Sequence, residues 1–116
     1  MFLKKNNILI NNFNSISKNK EIFELLFSGQ EFSVERIISN GQKSPENFWY
    51  DQKNNEWVIV LQGNAKIEFQ NINNTNEIIE LNKGDYILIP AHQQHRVLET
   101  SQTEETIWLA IHYKSI

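Results

Sequence analysis

The chain carries three histidines, His92, His95 and His112, and no cysteine. Any metal it holds must take nitrogen and oxygen ligands, and neither a thiolate centre nor a disulfide framework is available. Two of the histidines close the segment Gly84-Asp85-Tyr86-Ile87-Leu88-Ile89-Pro90-Ala91-His92-Gln93-Gln94-His95, in which a Gly-Asp turn leads into a short apolar run that a proline ends. His95 opens the strand that follows. His92 stands on the turn itself, at a rim where it can line a pocket mouth or act as acid or base. Glu56 begins another apolar run and shares its face with Val58 and Val60. Those valines should point inward, and a carboxylate beside them needs a partner, a proton or a metal. Glu56 and His92 are thus the residues expected to handle a proton. His112 shares a face with Trp108 and Ala110 on the last apolar run. It enters a pocket floor if that face is interior, and an interface if it is not.

Other chemistries find no support. There is no serine, histidine and acid arrangement, no phosphate-binding glycine loop and no dinucleotide fingerprint. The net charge is −3, from 11 basic and 14 acidic residues, and the basic residues are scattered, which leaves no footprint for nucleic acid. The N-terminal stretch is apolar in patches, but asparagines break it short of a signal-peptide core or a membrane span, so a cytoplasmic protein with no membrane partner is expected. At 116 residues the chain suffices for one core but not for two.

The elements that must position these residues are mostly strands. Residues 1–18 look extended or loose, with Phe13 and Ile16 as anchors. Lys20 to Ser28 carries Ile22, Phe23, Leu25 and Leu26 at helical spacing, and Gly29 suits the position after a helix end, so one short helix is expected there. Strands are expected over Phe32–Ser39, Phe48–Gln52, Glu56–Gln62, Ala65–Phe69, Ile78–Leu81, Tyr86–Ile89, His95–Glu99 and Thr106–Tyr113. Asn40-Gly41, Lys53-Asn54-Asn55 and Gly63-Asn64 serve as the turns between them. Several short strands with regular turn signals indicate an antiparallel sandwich or barrel. The run Glu56 to Gln62 is apolar on both faces, Trp57, Ile59 and Leu61 lying opposite Val58 and Val60. A small barrel buries its interior face, so the outer strip needs the N-terminal segment or, more readily, a second subunit as cover, and a homodimer is expected.

Gly84, Pro90 and His95, with Glu56 and Gly63 seven apart on the earlier run, resemble the two motifs of the cupin superfamily, small β-barrels that often hold a metal ion. In the second motif His92 stands where the family prefers a glycine. In the first, Glu56 and Gly63 fit, but the two histidine positions fall on Tyr50 and Gln52, or on Trp49 and Asp51 with the longer spacing. The resemblance implies an all-β fold, a double-stranded β-helix (jelly-roll) barrel over residues 32–116, preceded by residues 1–31 as an N-terminal extension with the short helix. It implies a metal site of His95, Glu56 and either Gln52 or Asp51, with Tyr50 and His112 in the pocket. Such an oxygen-rich set suits Mn, Fe(II), Ni or Zn. The function implied is a small stand-alone cupin that binds a divalent metal and a small polar metabolite, with catalysis left open. The alternative is a metal-free, non-catalytic ligand-binding or sensing cupin, which the two missing histidines support.

Overall fold

Eight strands and no helix make up the described residues, 3–11, 20–71, 73 and 75–115, of the computed structural model. They are β1 (Ile22–Ser28), β2 (Phe32–Ser39), β3 (Asn55–Gln62), β4 (Ala65–Gln70), β5 (Asn76–Leu81), β6 (Tyr86–Ile89), β7 (His95–Thr100) and β8 (Thr106–Tyr113). A five-stranded sheet in the order β1-β2-β8-β3-β6 faces a three-stranded sheet in the order β5-β4-β7. All the pairings within the two sheets are antiparallel. Phe13 and Ile16 lie outside the described residues.

Two expectations fail. The segment expected as a helix is β1, paired with β2 from Ile22↔Ile38 to Ser28↔Ser33. Its apolar residues fit a helical face, but they also fit a strand, and one short helix gains little on its own. Isoleucine and phenylalanine favour the extended form, and pairing with β2 supplies hydrogen bonds that an isolated helix could not better. Gly29 donates its N–H to the Phe32 carbonyl at 2.9 Å in the β1–β2 turn, so it ends a strand. Phe48–Gln52 is not a strand either. Pro45 lacks an N–H and Asn47 is left-handed (φ 63°), which prevents a continuous ladder. The segment touches β7 at a single bridge, where Tyr50 N–H donates to the His95 carbonyl at 2.7 Å and His95 N–H to the Tyr50 carbonyl at 3.2 Å.

The core lies between the sheets. Ile37, Val58, Val60, Ile89, Trp108 and Ala110 of the larger sheet meet Ala65, Ile67, Phe69 and Leu81 of the smaller. On the opposite face of β2, buried Arg36 pairs with Glu24 and donates to the backbone carbonyls of Ile8 and Ile10, which straps residues 7–10 over that strand. The strap stops short of β6, where Tyr86 and Leu88 remain 65% and 51% exposed. Gly63, at φ 80°, makes the β3–β4 turn where a Cβ would sit 2.6 Å from Thr106 Oγ1, so glycine is required by both conformation and space.

Candidate functional site

The two sheets enclose a cavity of about 70 Å³ at one end of the core. Strand alternation aims one residue from each of four strands into it: Glu35 of β2, Glu56 of β3, His95 of β7 and His112 of β8. The same alternation puts Ile37, Val58, Val97 and Trp108 beside them as apolar walls. The loop before β3 contributes Tyr50 and Gln52, and the approach to β1 contributes Glu21.

His95 is held on three sides. Its Nδ1 lies 2.9 Å from the Gln93 carbonyl oxygen, which can only accept, so Nδ1 carries a proton and Nε2 faces the cavity. The ring stacks on Tyr50 at 5.4 Å between centroids and leans on Phe69 at 6.0 Å. Facing it, Glu56 Oε1 lies 3.9 Å from Nε2, too far for a direct hydrogen bond and near enough for one bridging atom. Glu56 is 8% exposed and His95 5%. No described residue forms a hydrogen bond to the Glu56 carboxylate.

Behind this slot a second acid–imidazole pair forms the floor. His112 Nε2 donates to Glu35 Oε1 at 2.9 Å, and His112 is the cross-strand partner of Glu56. The Trp108–Ala110–His112 face is therefore interior. Burial pushes the Glu56 carboxyl above its ordinary range, and the nearby His112 and His95 only partly offset it. The Glu35 hydrogen bond raises the His112 imidazole against the opposing effect of burial. Tyr50 is pushed up by burial and then by the charges of Glu21, Glu56 and Glu35. Glu21 is pushed up by burial, although Ser39 Oγ donates to it at 2.6 Å.

His95, Glu56, Gln52, Tyr50 and His112 thus line one cavity, while Asp51 and His92 do not. Both are exposed on the rim, where His92 Nδ1 lies 2.7 Å from Asp51 Oδ1. His92 is left-handed (φ 65°), and its N–H donates to the Gln52 carbonyl at 2.7 Å. Asp51 cannot join Gln52 inside because neighbours along an extended segment face opposite ways. Two lining acids are not evident from sequence alone. Glu35 stands two residues before Ile37, and that alternation is the available signal; Glu21 lies outside a strand and offers none.

The donor set does not form a ready site for a divalent metal. His95 Nε2 and Glu56 are aimed as ligands would be, but His112 Nε2 is occupied by Glu35. Among the described residues no three His, Cys, Asp or Glu side chains converge on one point, where a closed site needs more donors than two. No described helix is long and apolar enough to cross a membrane.

A family model described as "Cupin domain" matches residues 35–112, more than half of the chain. No curated protein matches. Among solved structures, a Ralstonia eutropha JMP134 protein provisionally named as a mannose-6-phosphate isomerase is 38% identical, over 97% of this chain and 100% of that one, with a TM-score of 0.86. A cupin superfamily protein from Desulfitobacterium hafniense DCB-2 is 18% identical over 84% of this chain and 80% of its own, with a TM-score of 0.66. A variant oxalate decarboxylase from Bacillus subtilis is 15% identical over 72% of this chain and 21% of its own, at a TM-score of 0.62.

Proposed function

The chain belongs to the cupin family, and from that premise we propose that it is a small-molecule-binding cupin whose pocket recognises a small polar ligand without a preassembled metal. The observation that carries this is the Glu56–His95 slot. Two buried polar groups face each other across 3.9 Å with no third His, Asp or Glu among the described residues converging on them. The gap admits one ligand atom between an imidazole lone pair and a carboxyl that burial biases toward its protonated form. A ligand hydroxyl or amine can donate to His95 Nε2 while Glu56 donates or accepts according to its protonation. Tyr50 and Gln52 stand at the same cavity, with Glu35–His112 fixing the floor.

The activity in the name of the Ralstonia protein is not carried over. No lysine or arginine is among the described residues lining the cavity, so a phosphate would meet carboxylates with only imidazoles to hold it. Binding is the function this geometry supports, and Glu56 is the group placed to move a proton should the ligand react. The outer strip of Trp57, Ile59, Tyr86 and Leu88 supports a homodimer, since it leaves apolar surface on a sheet face that the N-terminal strap does not reach.

A thermal-shift screen of small polar metabolites in buffer containing a chelator tests the reading. The expected hit raises the melting temperature despite the chelator and loses its effect in His95→Ala. Hits that vanish on chelation and return with added Mn, Fe, Ni or Zn would overturn it in favour of a metal held by His95, Glu56 and Gln52.

A further inference from the structure

We propose, resting on the pocket described above, that the ligand is a small amine, bound as its ammonium between Glu56 and His95. The first observation is the state of Glu56. Its side chain is 10% exposed, accepts no hydrogen bond among the described residues, and borders the cavity. A buried acceptor left in this condition costs stability unless something completes it.

The second observation is the charge of the walls. Glu21, Glu35 and Glu56 line the cavity with His95 and His112, and no lysine or arginine is among the described lining residues. The His112 imidazole is already engaged by Glu35 at 2.9 Å. Glu21 has no lysine or arginine partner among the described residues, and Glu56 has only the imidazoles of His95, at 3.9 Å, and His112 nearby. An entering anion would meet both.

The third observation separates an amine from a neutral hydroxyl. The Nδ1 proton of His95 is committed to the Gln93 carbonyl, so a neutral ring accepts at Nε2, and an entering ammonium would draw Glu56 into its carboxylate form, which accepts as well. The slot therefore presents two acceptors, 3.9 Å apart. A hydroxyl has one proton and satisfies one of them. An ammonium has three donors and no acceptor, and satisfies both. Tyr50 and Trp108 add aromatic wall, which attracts a cation.

Size limits the rest of the molecule. About 70 Å³ is room for roughly five water positions, so the stem must be short. Half-exposed Phe23 at the edge of the cavity offers apolar contact to whatever projects beyond it.

Isothermal titration calorimetry of the full chain with three probes tests the assignment: 2-aminoethanol, ethylene glycol and mannose 6-phosphate. The expected result is saturable binding of 2-aminoethanol, weaker by about tenfold or more for ethylene glycol and undetectable for mannose 6-phosphate. Glu56→Gln, which keeps the shape and removes the charge, should weaken 2-aminoethanol by a similar factor while the variant melts no lower than the parent. Glu21→Gln, at the other unbalanced acid, should weaken it less. Ethylene glycol or mannose 6-phosphate binding as tightly as 2-aminoethanol would overturn the amine assignment and leave the pocket reading standing, provided that binding is lost in His95→Ala. No binding of any probe would overturn the amine assignment, and the chelator-resistant metabolite screen would then decide the pocket reading separately.

Discussion

Glu56 on β3 and His112 on β8 are direct cross-strand partners whose side chains both enter the cavity, and Glu35 on β2 closes the row through its hydrogen bond to His112. One imidazole is thereby set among carboxylates from two neighbouring strands. The Glu35 hydrogen bond is the main cause of the raised His112 pKa, with burial working against it and the charges of Glu56 and Glu35 reinforcing it.

Glu35→Gln should therefore bring the His112 pKa down. A group raised on folding contributes stability that is complete below its ordinary range and lost as pH rises through its folded value. In the variant that contribution should shrink and vanish at lower pH. The ring C–H shift of His112, followed by NMR across the imidazole range, reads this directly. A titration unchanged by the substitution would show that Glu35 does not hold the proton in place.

Glu56 works in the opposite sense from an ordinary salt-bridged acid. Its carboxyl is raised by burial, so the folded state binds the proton more tightly than the unfolded chain does. Its contribution to stability is greatest at acidic pH and is lost as pH rises through the raised value. Glu56→Gln, permanently neutral, should melt a few degrees higher than the parent at neutral pH, with the gap closing on acidification. A variant less stable at every pH would mean that the charged carboxylate is satisfied in the protein. That a substitution in the binding slot should stabilise the fold is the expected mark of a site kept for function.

Much of this arrangement is legible in the sequence. Gly84, Pro90 and His95 space the turn and strand that carry the imidazole, and the alternation Glu56, Val58, Val60 places a carboxylate inside. The face of His112 stays open in the sequence because strand parity says which residues share a side and not which side is interior; only the pairing of β8 between β2 and β3 settles that. Glu35 is hidden for the same reason, since its role depends on a partner 77 positions away. β1 reads as a helix because its apolar spacing fits both periods, and the choice is made by an edge of β2 that local sequence does not reveal.

His92 accounts for the glycine that the family motif prefers at its position. Its φ of 65° is left-handed, a conformation glycine adopts freely and a β-branched residue resists. His92→Gly should stay within about 1 kcal/mol of the parent, because the exposed contact to Asp51 is worth little. His92→Val should cost roughly 1–3 kcal/mol. Chemical denaturation measures both, and a His92→Gly variant much less stable than His92→Val would contradict the backbone account. His92→Ala should also leave ligand binding nearly intact, as the ring stands outside the cavity.

The outer strip of β3 and β6 predicts self-association. Trp57 and Tyr86 pack at 5.4 Å between centroids, with exposed Leu88 beside them. Light scattering on the full chain should give the mass of a dimer, and Leu88→Glu should give a folded monomer. A parent that is monomeric at high concentration would remove the homodimer from the account.

Elemental analysis of the untagged chain, purified without chelator and then equilibrated with Mn, Fe(II), Ni or Zn and desalted, tests the central claim most directly. With no third His, Cys, Asp or Glu joining His95 and Glu56 among the described residues, the slot should retain far less than one ion per chain, and His95→Ala should retain the same amount. One ion per chain, lost on His95→Ala, would contradict the claim and make the Glu56–His95 pair half of a metal centre.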